Sequence, residues 1–395
     1  MFTKNRLLFW GILLTSCAKP PHATVPPSPS SDSDTSLAVY VLGQADDTPR
    51  YWKNGAPTTL TGLAMTGISP KAMAVVGSDV FIAGTTGEAA AYWKDGQTFH
   101  LQAPPDQSDA NAIFVSGGDI YTAGYTSYPF SLSVPYTSPT ANYPISGPVA
   151  TYWKNGVPSV LFGDDVLQVY NGYGNFLYGD FVSSLFVSGT DVYVAGYSDE
   201  YRMGNGGTYQ FAKYWRNGVS VNLTSGLLDS TYANGQYYLT AFPYTSDIYV
   251  SGSDVYVSGN EYTFTTGPYE ALYWKNGSLT YLPSPGSLTY ANAIFASGSD
   301  VYVAGNLIGA DGIYHAVYWK NGVPDTLSMV PEGSSANAIF VYGNDVYAAG
   351  YEDVGGYSYV TLWKNGMATH LNPPSLRVGA AAISIYVEGP SKEGL

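Results

Sequence analysis

A five-residue motif, Tyr-Trp-Lys-Asn-Gly, recurs seven times along the 395 residues and constrains the fold more than any other feature. Six copies keep the Tyr-Trp pair, and seven of the eight tryptophans lie in these motifs. Asn-Gly or Asp-Gly between β-rich runs is a strong hairpin signal, because both turn residues need a positive φ. Each copy therefore predicts the end of one strand, a tight turn and the start of the next strand. The copies begin at Tyr51, Tyr92, Tyr152, Tyr214, Tyr273, Tyr318 and Leu362.

A second motif, Asp-Val-Tyr-Val-Ala-Gly, has the same periodicity. Its six copies begin at Asp79, Asp119, Asp191, Asp254, Asp300 and Asp345, and a weaker seventh copy is Ala38–Gly43. A third motif, Ala-Asn-Ala-Ile-Phe-Val, precedes the second one at Ala110, Ala291 and Ala336. Each repeat thus contains strand A, a Ser-Gly-x-Asp turn, strand B, a variable loop, strand C, an Asn-Gly turn and strand D. Four antiparallel strands per repeat predict an all-β fold, a seven-bladed β-propeller of four-stranded blades.

The two ends of the repeat region complete one another. The chain enters the first repeat at strand B, residues 37–43, without a strand A before it. It finishes with residues 385–389, which match strand A at 113–117 and have no strand B after them. We therefore expect the N- and C-terminal strands to pair within one blade. Such pairing closes the ring and removes exposed sheet edges.

The blade motifs differ from those of WD40 blades, with their Gly-His and Trp-Asp pairs, and from the Gly-Gly pair of kelch blades. The chain resembles bacterial lipoprotein propellers whose blades carry Tyr-Trp-Lys-Asn-Gly repeats, and the resemblance covers the whole repeat region. It implies the propeller fold and a bacterial lipoprotein. It implies almost nothing about function, because unrelated activities share this architecture.

The first residues predict export and a lipid anchor. Lys4 and Arg6 precede an apolar run, residues 7–14, which is too short to span a bilayer. Leu14-Thr15-Ser16-Cys17 resembles a bacterial lipobox, which implies that Cys17 is lipidated and becomes the first residue after cleavage. Because Cys17 is the only cysteine, disulfides are excluded. The predicted segments are a signal peptide (1–16), a lipidated cysteine with a Pro/Ser-rich tether (17–36), the propeller (37–390) and a short tail (391–395).

These features predict an extracytoplasmic protein attached to a bacterial membrane through its lipid anchor. Ala18 follows the cysteine where an Asp would signal retention at the inner membrane, which favours the outer membrane in a Gram-negative organism. The formal net charge of −14 argues against nucleic-acid binding, because phosphate affinity comes from Lys and Arg. We expect a monomer without a cofactor.

The connections between strands fall into two classes. The A–B and C–D turns are short, uniform and expected on one face of the propeller. The B–C and D–A connections are expected on the other face, and their large insertions lie between residues 125 and 270. Variable loops on a rigid scaffold commonly carry function.

The insertions are rich in tyrosine, which offers broad amphipathic contact at a low cost in entropy. We predict that they bind a glycan or a protein. The alternative is that these tyrosines only fill β-rich loops, as tyrosines in the strands do. The candidate ligand-binding residues are Tyr125, Tyr128, Tyr136, Tyr143, Tyr173, Tyr178, Tyr201, Tyr209, Tyr237 and Tyr238.

The acidic residues support no metal site in the sequence. Those in the insertions could bind Ca²⁺, but they lack EF-hand spacing and are interpreted as solvated loop acids. The motif aspartates recur in nearly every blade, so we interpret them as capping residues of the turns. We assign the motif tryptophans to packing between blades. The insertion acids are Asp164, Asp165, Asp180, Asp199, Glu200 and Asp229.

Catalysis has little support. The four histidines, His22, His100, His315 and His370, match no zinc or nucleophile pattern, and we predict no catalytic residue. The favoured function is a surface-tethered binding or scaffolding propeller that presents a tyrosine-rich loop face. The alternative is a propeller-type glycoside hydrolase or lyase with carboxylates in a central pocket.

Overall fold

The computed structural model describes residues 37–389 with short gaps. Within this part of the chain all regular structure is β-strand, and no helix there is long and apolar enough to cross a membrane. The strands form seven antiparallel sheets built on four strands each, together with one separate hairpin. The predicted seven-bladed β-propeller is therefore confirmed. The gaps are residues 47, 60–67, 88, 96, 104–106, 134–141, 162–174, 203–206, 225–229, 234–235, 240, 264–268, 284–287 and 377–379.

The first three blades use the N-terminal strands and the last strand of the chain. Blade 1 contains β1 (Ala38–Ala45), β2 (Thr48–Lys53), β3 (Ala56–Thr59) and β31 (Ala381–Glu388). Blade 2 contains β4 (Ile68–Val76), β5 (Asp79–Thr86), β6 (Ala89–Lys94) and β7 (Gln97–His100). Blade 3 contains β8 (Ser108–Ser116), β9 (Asp119–Ser133), β10 (Asn142–Lys154) and β11 (Val157–Val160).

The other four blades follow in chain order, with the separate hairpin after blade 4. Blade 4 contains β12 (Asn175–Ser188), β13 (Asp191–Arg202), β14 (Gly207–Arg216) and β15 (Val219–Asn222). The hairpin is β16 (Ser230–Ala233) and β17 (Gln236–Leu239). Blade 5 contains β18 (Ala241–Ser251), β19 (Asp254–Thr263), β20 (Tyr269–Lys275) and β21 (Ser278–Tyr281). Blade 6 contains β22 (Thr289–Ser297), β23 (Asp300–Ile308), β24 (Tyr314–Lys320) and β25 (Val323–Thr326). Blade 7 contains β26 (Ser334–Tyr342), β27 (Asp345–Val354), β28 (Tyr357–Lys364), β29 (Met367–His370) and the short β30 (Ser375–Leu376).

The ring is closed by the two ends of the repeat region, as predicted. Strand β31 pairs with β1, so that Tyr40 lies opposite Tyr386 and Val41 opposite Ile385. The seven inner strands, one from each blade, contact each other in succession, and β31 contacts both β26 and β4. Blade 1 is therefore assembled from residues that lie at opposite ends of the chain.

Each motif tryptophan packs against the preceding blade. All seven are at most 2% exposed. Trp52 of blade 1 shares a core cluster with Val360 and Leu371 of blade 7, which continues the packing across the closure. The glycine that ends strand B makes room for this packing: a Cβ on Gly259 would lie 2.8 Å from the Trp274 ring and 2.3 Å from a backbone oxygen. The tryptophans thus join blades, as the sequence predicted.

We call the face that carries the A–B and C–D turns the short-turn face, and the opposite face the variable face. The short-turn face is stabilised by a repeated group of polar side chains. In blade 3, Asn155 has a φ of 52°, and its Oδ1 accepts a hydrogen bond from the backbone N–H of Ile120 at 2.9 Å. Its Nδ2 donates to Asp119 at 2.8 Å, and the same carboxylate pairs with Lys154 at 2.7 Å. Lys154 and Asn155 together hold the pKa of Asp119 below its usual range. The prediction that the motif aspartates cap the turn was therefore wrong: the asparagine caps the backbone, and the aspartate holds the asparagine and the lysine.

Several segments predicted to be irregular insertions are extensions of strands. Strands β9 and β10 continue their pairing as far as Ser133 opposite Asn142. Strands β13 and β14 do so as far as Arg202 opposite Gly207. The extended strand β10 of blade 3 contacts the inner strand β12 of blade 4 where Gly179 lies against Pro148, because a Cβ on Gly179 would come within 2.7 Å of the proline ring. The paired strands of blades 3 and 4 therefore extend outward on the variable face.

Every inner strand contains a β-bulge at the same level, directly after the residue that pairs with the glycine of strand B. A bulge places one extra residue in the strand and changes the direction of its side chain. Several bulge residues reach the next blade: Asn111 donates to the backbone oxygen of Val182 at 2.7 Å, and Asn337 to that of Ala382 at 2.9 Å. We call the seven bulge residues the bulge ring; six of them are polar and the seventh, in blade 1, is an isoleucine. Its members are Lys71, Asn111, Ser183, Ser246, Asn292, Asn337 and Ile383.

Asp247, next to a bulge residue, joins three blades. Its Oδ1 accepts from the Ser184 hydroxyl of blade 4 at 2.6 Å and from the backbone N–H of Ile248 at 2.8 Å. Its Oδ2 accepts from the backbone N–H of Ile294 in blade 6 at 2.9 Å. Although the residue as a whole is only partly buried, these contacts enclose its carboxylate. The resulting loss of water raises the pKa of Asp247 to about 6.

Removal of β31 should destabilise the whole ring. A chain that ends at Ala380 lacks the buried Ala382, Ile385 and Val387 and leaves the inner edge of β1 without a partner strand, although β1 still pairs with β2. Because truncating one buried aliphatic side chain costs about 2 to 5 kcal/mol, we expect this chain to lose more than about 4 kcal/mol of unfolding free energy. Urea unfolding followed by tryptophan fluorescence measures the loss. A chain that ends at Gly389 keeps β31 and is the control. Equal midpoints for the two chains would contradict the closure.

The Asp247 carboxylate should make stability depend on pH. A pKa of about 6 in the folded protein exceeds the 3.8 of an ordinary Asp, so the folded state binds the proton more tightly. The resulting stabilisation is complete below the pKa that Asp247 has in the unfolded chain, and it is lost as the pH rises to about 6. Relative to Asp247→Asn, the wild type should lose at most about 3 kcal/mol between pH 4 and pH 7. Urea unfolding of both proteins across this range tests the expectation, and a difference that does not change with pH would refute it.

Candidate binding site at the channel mouth

The structure describes part of the predicted tyrosine set. Tyr136, Tyr173 and Cys17 lie outside the described residues. Tyr125 follows the glycine of strand B in blade 3 and is partly buried, and its pKa is raised by burial and by the charge of Asp109. For the other seven only the backbone is described, and all of these lie in strands. They are Tyr128 and Tyr143 in β9 and β10, Tyr178 in β12, Tyr201 and Tyr209 in β13 and β14, and Tyr237 and Tyr238 in β17.

Several tyrosines lie at the entrance to the central channel on the variable face, and of these the sequence predicted only Tyr125 as a candidate. In each blade, one residue of the inner strand before the bulge pairs with the residue after the strand B glycine. We call this level of the channel its mouth. Five consecutive blades place an aromatic ring there, and blades 1 and 2 do not. The pairs are Ala381 with Gln44, Ser69 with Thr85, Asp109 with Tyr125, Phe181 with Tyr197, Tyr244 with Asn260, Tyr290 with Asn306, and Ser335 with Tyr351.

Tyrosines of blades 4 to 6 form an arc that starts at this mouth and continues onto strand C. Tyr197, Tyr244 and Tyr290 belong to the mouth, whereas Tyr269 and Tyr314 are the first residues of β20 and β24. We call these five residues the tyrosine arc. Ring centroids are 6.3 Å apart for Tyr197 and Tyr244, 5.1 Å for Tyr269 and Tyr290, and 6.1 Å for Tyr290 and Tyr314. Four of the rings are partly buried, and Tyr314 is 39% exposed. The arc therefore combines fixed ring positions with accessible surface.

Burial raises the pKa of three tyrosines of the arc, Tyr197, Tyr244 and Tyr290, so these hydroxyls stay uncharged at neutral pH. Burial raises the pKa of Tyr244 to about 12, with a further contribution from the hydroxyls of Tyr269 and Tyr197. Burial and the neighbouring Tyr314 also raise the pKa of Tyr290. Each hydroxyl can therefore donate and accept one hydrogen bond beside an apolar ring face. The polar members of the bulge ring add amide and hydroxyl groups on the adjacent level of the channel.

The described carboxylates closest to the channel mouth have partners of their own. Asp109 accepts from Lys71 at 2.5 Å and from the Thr85 hydroxyl. Of the insertion acids, Asp180 accepts from Ser198, and Asp199 accepts from Gln210 at 2.9 Å. Among the described residues no group of three or more His, Cys, Asp or Glu could hold a metal ion. The side chains of Asp164, Asp165, Glu200 and Asp229 are not described.

The described histidines lie in strands C and D rather than in inner strands. His370 in β29 contacts Glu352 at 2.7 Å and stacks on Tyr359 with 4.1 Å between the ring centroids. His315 is buried in β24, where its Nε2 lies 3.1 Å from Asp311. His100 ends the outer strand β7. None of the three lies in the bulge ring or in the tyrosine arc.

Comparison with known proteins finds only distant structural likenesses. No family model matches the sequence, and no curated protein does. Among solved structures, the chain is similar to the computationally designed Ika8 protein, with 15% identity, a TM-score of 0.41 and coverage of 89% of this chain and 93% of the other. It is also similar to TolB from Acinetobacter baumannii, with 11% identity, a TM-score of 0.40 and coverage of 89% of this chain and 66% of TolB. Likenesses at this level carry no inference about a ligand or a partner.

Proposed function

We propose that the protein is a surface-tethered binding propeller that holds an uncharged glycan at the tyrosine arc. The observation that carries the proposal is the row of five partly accessible tyrosine rings at one side of the channel mouth. Concave sites lined by aromatic rings, with a few polar groups for orientation, are the usual form of ligand-binding sites. Here the bulge ring contributes the polar groups.

The chemistry of the tyrosine arc suits a saccharide better than an ion. A sugar ring has an apolar face of C–H groups, which packs on an aromatic ring, and hydroxyl groups at its edge, which match tyrosine hydroxyls and asparagine amides. Since the pKa values of Tyr244 and Tyr290 are raised, the arc offers no negative charge of its own near neutral pH. The net charge of −14 opposes binding of polyanions.

The predicted anchor would confine this binding role to a membrane surface. Residues 18–36 are rich in Pro, Ser and small polar residues. A tether of this composition reaches up to about 60 Å when extended, at about 3.1 Å per residue. A lipidated Cys17 would therefore leave the propeller free to reach a glycan beyond the membrane surface. We propose the outer membrane of a Gram-negative bacterium as its location.

Substitutions in the tyrosine arc should weaken glycan binding. A glycan array probed with the soluble domain, residues 37–395, identifies the ligand, and calorimetry then measures its Kd. We expect Tyr290→Ala and Tyr314→Ala each to weaken binding by about tenfold, because losing an aromatic contact costs about 1 kcal/mol or more. Tyr342→Ala is the matched control, since Tyr342 is 40% exposed, as Tyr314 is 39%, but ends an inner strand on the short-turn face.

Three results would decide against this proposal. Unchanged Kd values for both arc variants would remove the tyrosine arc from the site. Capture of a protein rather than any glycan would favour a scaffolding role on the same face. Release of new reducing ends from a bound glycan would favour the alternative, a propeller-type glycoside hydrolase or lyase.

Replacement of the lipobox cysteine tests the tether independently. Cys17→Ser leaves no thiol in the chain, so incorporation of a labelled fatty acid should stop and the protein should leave the membrane fraction. Metabolic labelling and fractionation of expressing cells measure both effects. A Ser16→Ala variant keeps a small residue before the cysteine and should behave as the wild type. Membrane association that survives Cys17→Ser would contradict the anchor.

A further inference from the structure

Aromatic side chains line the central channel below the bulge ring. They occupy the third position after the bulge residue, and each lies opposite the central Tyr of the strand B motif. Each ring contacts the ring of the next blade, with centroid distances of 4.9, 4.9, 4.4, 4.8 and 5.6 Å around the series. We call this set the aromatic collar. In spatial order its members are Phe114, Phe186, Tyr249, Phe295, Phe340 and Tyr386.

The collar is interrupted in blade 2. Ala74 holds the equivalent position, opposite Phe81, and has no ring to contact its neighbours. No ring contact joins Phe114 to Tyr386, although the structure describes both side chains. Ala74 is only partly buried, so other side chains do not fill the space completely. The gap is therefore the place of one missing aromatic side chain.

The surroundings of the gap are apolar except on one side. Phe81 and Ile113 are buried in the cluster against which Ala74 packs. Lys71 lies three residues earlier in the same strand, and it is the one charged member of the bulge ring. Its Nζ reaches across to blade 3, where it contacts Asp109 at 2.5 Å and Asn111 at 3.2 Å. Because Asp109 balances the charge of Lys71, this polar side of the gap favours an uncharged group.

We propose that the gap at Ala74 binds an uncharged molecule built on a single aromatic ring with a hydroxyl group, such as a simple phenol. The bound ring would occupy the seventh place of the aromatic collar, with Phe114 and Tyr386 on either side. Aromatic rings with centroids about 4.5 to 7 Å apart attract each other, and the collar keeps that spacing. An apolar space that lacks one side chain can bind a ring of matching size. The hydroxyl group would point toward Lys71 and Asn111.

Titration of the full-length protein with phenol tests the proposal. A ligand of this size should bind with a Kd on the order of 1 mM, measured by saturation-transfer NMR. Ala74→Phe supplies the missing ring, and we expect it to abolish saturable binding and to raise the melting temperature. Ala74→Leu fills the gap in part and should weaken binding at least fivefold, which keeps the test valid if the larger side chain prevents folding. Ala74→Gly should retain binding.

Phenol binding at the gap does not depend on the tyrosine arc, so the two proposals can fail separately. Tyr290→Ala should leave phenol binding unchanged, because Tyr290 lies at the mouth and not in the collar. Absence of saturable phenol binding to the wild type would overturn the proposal. Equal binding by the wild type, Ala74→Phe and Ala74→Leu would also overturn it, since phenol would then bind elsewhere. Binding of cyclohexanol as tightly as phenol would overturn the preference for an aromatic ring.

Discussion

The packing of each motif tryptophan against the preceding blade is the interaction on which the rest of the structure depends. A single four-stranded blade cannot bury Trp52 or Trp93 by itself, because these rings lie in core clusters that contain residues of the blade before. Every blade therefore needs a neighbour on both sides, and only a closed ring supplies one to all seven. Blades 1 and 7 are the first and last along the chain, and the pairing of β31 with β1 makes them neighbours.

The repeated polar groups of the short-turn face explain why the residues of the variable face can differ between blades. Asn155 and its equivalents fix the C–D turn to strand B, so that each blade is held by its own residues at that end. The opposite ends of the strands have a simpler repeated contact, in which Ser108, Thr289 and Ser334 of the inner strands accept from backbone N–H groups of strand C in the preceding blade; no Asn-Asp-Lys group recurs there among the described residues. Blades 3 and 4 can therefore extend as paired strands, and the residues of the channel mouth can differ from blade to blade without loss of the ring.

The candidate sites arise where equivalent positions are occupied by different residues. The bulges of the seven inner strands set one level of mostly polar side chains, with the tyrosine arc on one side of it and the aromatic collar on the other. Tyr244 and Tyr290 occupy a place that Ser69 takes in blade 2, and Ala74 occupies a place that Phe114 takes in blade 3. The repeated fold thus supplies fixed positions, and departures from the repeat create the surfaces that could recognise a ligand.

The sequence by itself determined the strands, the seven blades and the closure of the ring. Each of these depends on signals that the sequence shows directly: Asn-Gly turns that need a positive φ, strand motifs that recur in the repeats, and fragments of one motif set at the two ends of the repeat region. Only the tertiary structure decided which polar atom caps each turn, since Asn155 and Asp119 come together from separate strands. It also converted predicted loops into paired strands, because pairing partners such as Ser133 and Asn142 are chosen by register rather than by composition. The tyrosine arc and the collar gap were invisible beforehand for the same reason: a bulge changes which side chains share a level of the channel, and the sequence does not mark the bulge.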